Sequence, residues 1–136
     1  MAAAAAPDGV TEQLRKADGL RTGDYAQFNS LLESIARQKS LTPAQRDYLS
    51  YLQAWKSVYE GQYELAISRL QATIRETHDV TLKFRAKASI INALIVSSHY
   101  EEAFTELTQL LVLLPKVTDP AAREQGLIVK IGRAHV

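Results

Sequence analysis

The chain contains no cysteine, which excludes disulfides and thiolate metal sites. It holds only 6 Gly and 4 Pro among 136 residues, so long regular elements are favoured over a loop-rich sheet fold. An excess of charge of one sign is also lacking. Sixteen Lys and Arg stand against 15 Asp and Glu, a net charge of +1. That balance gives no electrostatic case for nucleic acid or an anionic membrane surface as a partner. The longest apolar stretches are Ile90 to Val96 and Leu110 to Leu114, far short of the roughly 20 residues that a membrane span needs. What remains is 46% hydrophobic and 23% charged, ordinary for one globular domain with a buried core.

Both ends carry information of their own. The start, Met1 to Ala6 followed by Pro7-Asp8-Gly9, has no basic or leucine-rich region. It reads either as the remnant of a signal peptide or as a plain disordered N-terminus over residues 1–9. The end, Ile131-Gly132-Arg133-Ala134-His135-Val136, back-translates to ATC GGA AGA GCA CAC GTC, a common short-read sequencing adapter, with Lys130 (AAG) supplying the adapter's preceding AG. Residues 131–136 are therefore expected to be an artefact and are set aside. Without Arg133 the count becomes 16 − 1 = 15 basic residues against 15 acidic.

Between these ends, over 10–130, apolar residues recur at helical spacing and no segment alternates with period two. Six helices are expected, at about 10–21, 24–38, 43–59, 62–77, 80–98 and 100–114, and a seventh opens at Asp119-Pro120. The punctuation is explicit. Thr42 is a good N-cap with Pro43 at the first helical position, Gly61 suits a helix end, and Asp79 can cap the fifth helix.

The helices are organised as a repeat. Gly23-Asp24-Tyr25-Ala26-Gln27-Phe28, Gly61-Gln62-Tyr63-Glu64-Leu65-Ala66 and Ser98-His99-Tyr100-Glu101-Glu102-Ala103 align. Their tyrosines are 63 − 25 = 38 and 100 − 63 = 37 residues apart, near the ~34 of tetratricopeptide repeats. In each unit a small residue permits the turn, a tyrosine is expected to pack into the hairpin angle, and a small residue three positions later lets two helices approach. Ala54 supplies a small residue in a first helix, and Pro115 stands where the repeat places its terminating proline. Phe28 in the first copy and His78 in the second depart from the pattern. The expected fold is all-α, a right-handed tetratricopeptide-like solenoid of about three antiparallel hairpins and part of a fourth. Apolar surface is expected to be exposed at its C-terminal end.

Asp47 to Ala54, Gly61 to Ile67, Asp79 to Ala86, Asn92, Tyr100 to Phe104 and Leu113 to Pro120 together look like one family. From about Gln13 to Lys130 the chain resembles the sensor region of bacterial diguanylate cyclases that carry tetratricopeptide-like repeats ahead of a GGDEF domain. The resemblance implies a periplasmic sensory segment, a membrane helix, and a cytoplasmic cyclase that makes cyclic di-GMP from GTP. The sequence has no membrane helix, no GGDEF motif and no GTP-binding residues. No catalytic residue carries over, and this stretch is expected to bind a protein, a peptide or a small signal ligand rather than catalyse. The alternative is a stand-alone scaffold or adaptor, which would admit a cytoplasmic location.

Tyr48, Tyr51, Trp55 and Tyr59 share one face of the third helix, at spacings of 3, 4 and 4. They read either as core or as a concave ligand groove completed by Arg85 and Asn92. His78 and His99 lie at turns without carboxylates at ligand spacing and read as surface residues. Glu101-Glu102 fits an acidic helix N-terminus. Arg69, Arg75, Lys83, Arg85 and Lys87 are interrupted by Glu76 and Asp79 and read as a solvated face. No metal, cofactor or catalytic constellation is expected.

Overall fold

The computed structural model describes residues 7–114, 119, 120 and 122. Six α-helices and no strand occur among them: α1 (Pro7–Leu20), α2 (Tyr25–Ala36), α3 (Pro43–Tyr59), α4 (Tyr63–Glu76), α5 (Val80–Val96) and α6 (Tyr100–Leu113). None of these helices is long and apolar enough to cross a membrane. The boundaries lie within a few residues of those expected. The largest difference is at the start, where Pro7 in the first turn opens α1 three residues early and makes 7–9 helical. The readings of residues 1–6 and 131–136 lie outside the described residues.

Local chemistry fixes the ends. The Thr42 hydroxyl accepts from the Gln45 N–H at 3.1 Å while the Gln45 amide oxygen accepts from the Thr42 N–H at 2.9 Å. This reciprocal capping box starts α3. Asp24 caps α2 through the Gln27 N–H, and Asp79 caps α5 through the N–H groups of Thr81 and Leu82. After α3 the Gln62 N–H bonds to the Ser57 carbonyl and the Gly61 N–H to the Val58 carbonyl, with Gly61 at φ 81°. This paired bonding closes the helix around a left-handed residue. The turn after α5 repeats it: His99 bonds to Leu94 and Ser98 to Ile95, but the left-handed residue is Ser98 at φ 67°. A serine there gives up the steric freedom that glycine supplies at Gly61. Gly23 takes no positive φ, so the first turn is built differently although its sequence aligns.

Consecutive helices pack on one another, except that the link from α2 to α3 is weaker than the pairings within α1–α2, α3–α4, α4–α5 and α5–α6. The first helices of successive pairs also touch, α1 on α3 and α3 on α5. The core runs along this row. Leu14, Ala17, Phe28, Ile35, Tyr51, Leu52, Ala54, Phe84, Ile91 and Leu110 are fully or almost fully buried in it. The small-residue position behaves alike in all three copies, since Phe28, Ala66 and Ala103 are each buried. The repeat tyrosine does not. Tyr25 and Tyr63 are part-buried, whereas Tyr100 is half exposed, so the expected packing into the hairpin angle is not uniform. At the far end the Asp119 carboxylate accepts from the Ala122 N–H at 2.9 Å, and Ala122 is buried in the same core.

Candidate functional site

Asp18 is the residue that sequence reasoning missed. It sits in the last turn of α1, where a carboxylate opposes the helix dipole. The structure resolves the conflict by surrounding it with donors. Arg85 of α5 donates from Nη1 to Oδ2 at 2.6 Å and from Nη2 to Oδ1 at 2.9 Å. Arg21 Nε donates to Oδ1 at 2.8 Å, and the Tyr48 hydroxyl of α3 donates to Oδ2 at 2.6 Å. One carboxylate thus joins α1, α3 and α5. Its two-pronged pairing with Arg85 is the geometry in which an arginine–carboxylate bond is strongest.

The electrostatics follow from burial. Burial alone would push the Asp18 carboxyl up, but the Arg85 hydrogen bonds and charge, followed by Tyr48 and Arg21, hold it down at about 2. The same contacts move the partners the other way. Tyr48 is raised by burial and by the Asp18 carboxylate. The guanidinium of Arg85, opposed by burial, is held protonated by Asp18. Arg85 also lies over the Tyr51 ring, 4.8 Å from its centroid, a cation–π contact below the ion pair.

The aromatic stripe of α3 is divided between two neighbourhoods. Tyr48 and Tyr51 belong to the Asp18 cluster. Tyr51 is fully buried, so for this residue the core reading replaces the groove reading: its ring is roofed by Arg85 and offers no open face. Trp55 and Tyr59 belong instead to a ring cluster with α2. Trp55 meets Phe28 edge-on at 5.5 Å, Tyr59 stacks on Tyr25 at 4.2 Å, and Trp55 and Tyr59 are 5.7 Å apart. Arg21 lies 5.5 Å over Trp55 and so links the two neighbourhoods. Tyr59 stays 60% exposed. The Tyr25 hydroxyl donates to Glu60 at 2.6 Å, and burial together with that carboxylate pushes it up to about 12. Asn92 is exposed, two turns beyond Arg85 on α5.

Tyr48 and Arg85 border an open cleft of about 1110 Å³. Its walls are α1 at Thr11 and Leu14, the first turns of α3 and α5, and the α4–α5 turn at His78. Arg46, Asp47, Glu76 and Asp79 give the mouth mixed charge. Burial and the nearby Glu76 charge raise the Asp47 carboxyl, against the pull of Arg46 and His78. The cleft can offer hydrogen bonds of both senses around an aromatic edge. Among the described residues no group of three or more His, Asp or Glu is placed to hold a metal ion. No family model, curated protein or solved structure matches this chain.

Proposed function

We propose that the chain is a tetratricopeptide-like binding module, a right-handed solenoid of helical hairpins whose cleft beside Tyr48 and Arg85 takes a peptide or a small signal ligand. The observation that carries this reading is the row α1, α3, α5. α1 packs on α3 and α3 on α5, Asp18 joins all three, and an open cleft of about 1110 Å³ lies along their N-terminal turns. A cleft whose walls are already held in place favours binding, because little side-chain entropy remains to be lost. The resemblance to the sensors of diguanylate cyclases supports a further step. In a longer parent protein, ligand capture in the periplasm would bias a cyclase that makes cyclic di-GMP.

The test is a titration of the isotopically labelled chain with a library of peptides and small metabolites, followed by amide NMR. Shifts that cluster at Arg46, Tyr48, Thr81 and Arg85 and vanish in Arg46→Glu support the cleft. Ligands that shift only the α2, α4 and α6 surfaces, or none at all, sink it. The cyclase step needs its own measurement: the parent reading frame must encode a GGDEF domain whose turnover responds to the ligand.

A further inference from the structure

Asp18 is followed in the chain by Gly19. An aspartate before glycine cyclises readily, because a residue without Cβ leaves its backbone nitrogen unhindered for attack on the preceding side chain. In that reaction the Gly19 nitrogen adds to Asp18 Cγ. The N–Cγ bond forms, the Cγ–OH bond breaks, and the hydroxyl leaves with the amide proton as water. Water then reopens the five-membered imide at one of its two carbonyls. Breaking the bond from nitrogen to Cγ restores aspartate. Breaking the bond from nitrogen to the backbone carbonyl carbon of Asp18 leaves the chain running through Cβ and Cγ. The product is isoaspartate, of unchanged mass.

The fold opposes the closure of that ring. A carboxyl group is attacked as the neutral acid, whereas Asp18 meets Arg85, Arg21 and Tyr48 as an ion with both oxygens engaged. The side chain must turn back onto its own peptide, yet it reaches from α1 across to α3 and α5. Gly19 lies within α1, where the helical ladder directs an N–H along the axis towards an earlier carbonyl. Nothing in the described structure requires glycine at this position. Its φ is not positive, and a Cβ there would meet nothing within 4 Å. Gly19 is also exposed, so water for the second step is at hand.

We propose that Asp18-Gly19 is a latent isomerisation site, held silent by the contacts of Asp18 and converted to isoaspartate in molecules where those contacts have opened. Conversion makes the opening permanent, because the added backbone carbon displaces the carboxylate from its partners and interrupts the last turn of α1. The inference stands on the Asp18 cluster and does not depend on a ligand in the cleft.

The test ages the whole 136-residue chain in warm neutral buffer for several weeks. Trypsin then releases Ala17-Asp18-Gly19-Leu20-Arg21, apart from the other Asp-Gly pair at Asp8-Gly9. Chromatography against synthetic standards separates the two isomers of that peptide. A synthetic peptide of residues 13–24 gives the unprotected rate. The folded chain is expected to form isoaspartate more slowly than this peptide by about tenfold or more. Arg85→Lys keeps the charge but loses the two-pronged grip, and raises the rate several-fold. Gly19→Ala keeps the fold and brings the product to the limit of detection. Leu110→Val, a core truncation in α6, lowers global stability and leaves the rate unchanged. A folded-chain rate equal to the peptide rate overturns the proposal, as does a peptide that forms no isoaspartate. No rise in Arg85→Lys overturns it too. So does a rate that rises as much in Leu110→Val as in Arg85→Lys, because the shield is then the fold as a whole.

Discussion

Two clusters fasten α1 and α2 to the rest of the molecule, and they do so by opposite means. Around Asp18 the fastening is ionic and directional: four donor contacts on one carboxylate from three side chains, the neighbouring Arg21 and, on two further helices, Tyr48 and Arg85. Around Phe28 it is aromatic and nearly free of charge, with Phe28, Trp55, Tyr59 and Tyr25 touching ring to ring. The ionic cluster specifies geometry and responds to pH. The ring cluster supplies buried area, and charge enters it only at its edge, through Arg21 over Trp55 and Glu60 on the Tyr25 hydroxyl. A single helix, α3, contributes to both, so one stripe of spaced aromatics serves two unlike junctions.

Mutations on the two sides should separate them. Phe28→Ala empties a fully buried ring site and is expected to cost about 3–5 kcal/mol, measured by urea unfolding, equally at pH 7 and pH 4. A cost below about 1 kcal/mol would mean that the ring cluster collapses freely and contributes little. Asp18→Ala leaves the Arg85 guanidinium part-buried without its counter-charge and is expected to cost about 3 kcal/mol, with the loss confined to conditions where Asp18 is ionised.

Acid titration sharpens the contrast. The Asp18 carboxyl is depressed from 3.8 to about 2 in the folded state. A depressed acid stabilises the fold above its unfolded value and loses that contribution as pH falls. The stability linked to Asp18, about 2 kcal/mol, should be complete above pH ~5 and disappear progressively down to pH ~1. In Asp18→Asn this part of the profile should be flat, and an unchanged acid limb in that variant would refute the assignment. The smallest effects come from the hydroxyls. Tyr48→Phe removes a part-buried hydrogen bond to an ionised group and is expected to cost about 1.5 kcal/mol. Tyr25→Phe removes an exposed one to Glu60, worth under about 0.5 kcal/mol. Equal losses would mean that burial does not distinguish the two junctions.

The sequence made the helices legible because their ends are chemical. Thr42 with Pro43, Gly61 and Asp79 each state a boundary that the structure keeps. The α3 stripe was legible as a stripe, but its division was not. Spacings of 3, 4 and 4 place Tyr48, Tyr51, Trp55 and Tyr59 on one side of a helix, and only the neighbours decide that Tyr51 is sealed while Tyr59 is open. Asp18 left one signal, an acid in the last turn of a helix where the dipole disfavours it. Its partner Arg85 is 67 residues away, a pairing no local pattern encodes. Ser98 was read as the equivalent of Gly61, and the shared positive φ shows why the alignment holds despite the change of residue.

That 67-residue separation has a consequence for how the molecule assembles. Contacts between consecutive helices join residues close in sequence and form over short loops, whereas the Asp18–Arg85 pair must wait until α1 and α5 have met. An interaction completed that late is expected to be largely missing from the rate-limiting ensemble, so that Asp18→Ala should speed unfolding and leave the folding rate nearly unchanged in stopped-flow measurements. Its strength then governs how long the folded chain lasts and hardly at all how quickly it is reached.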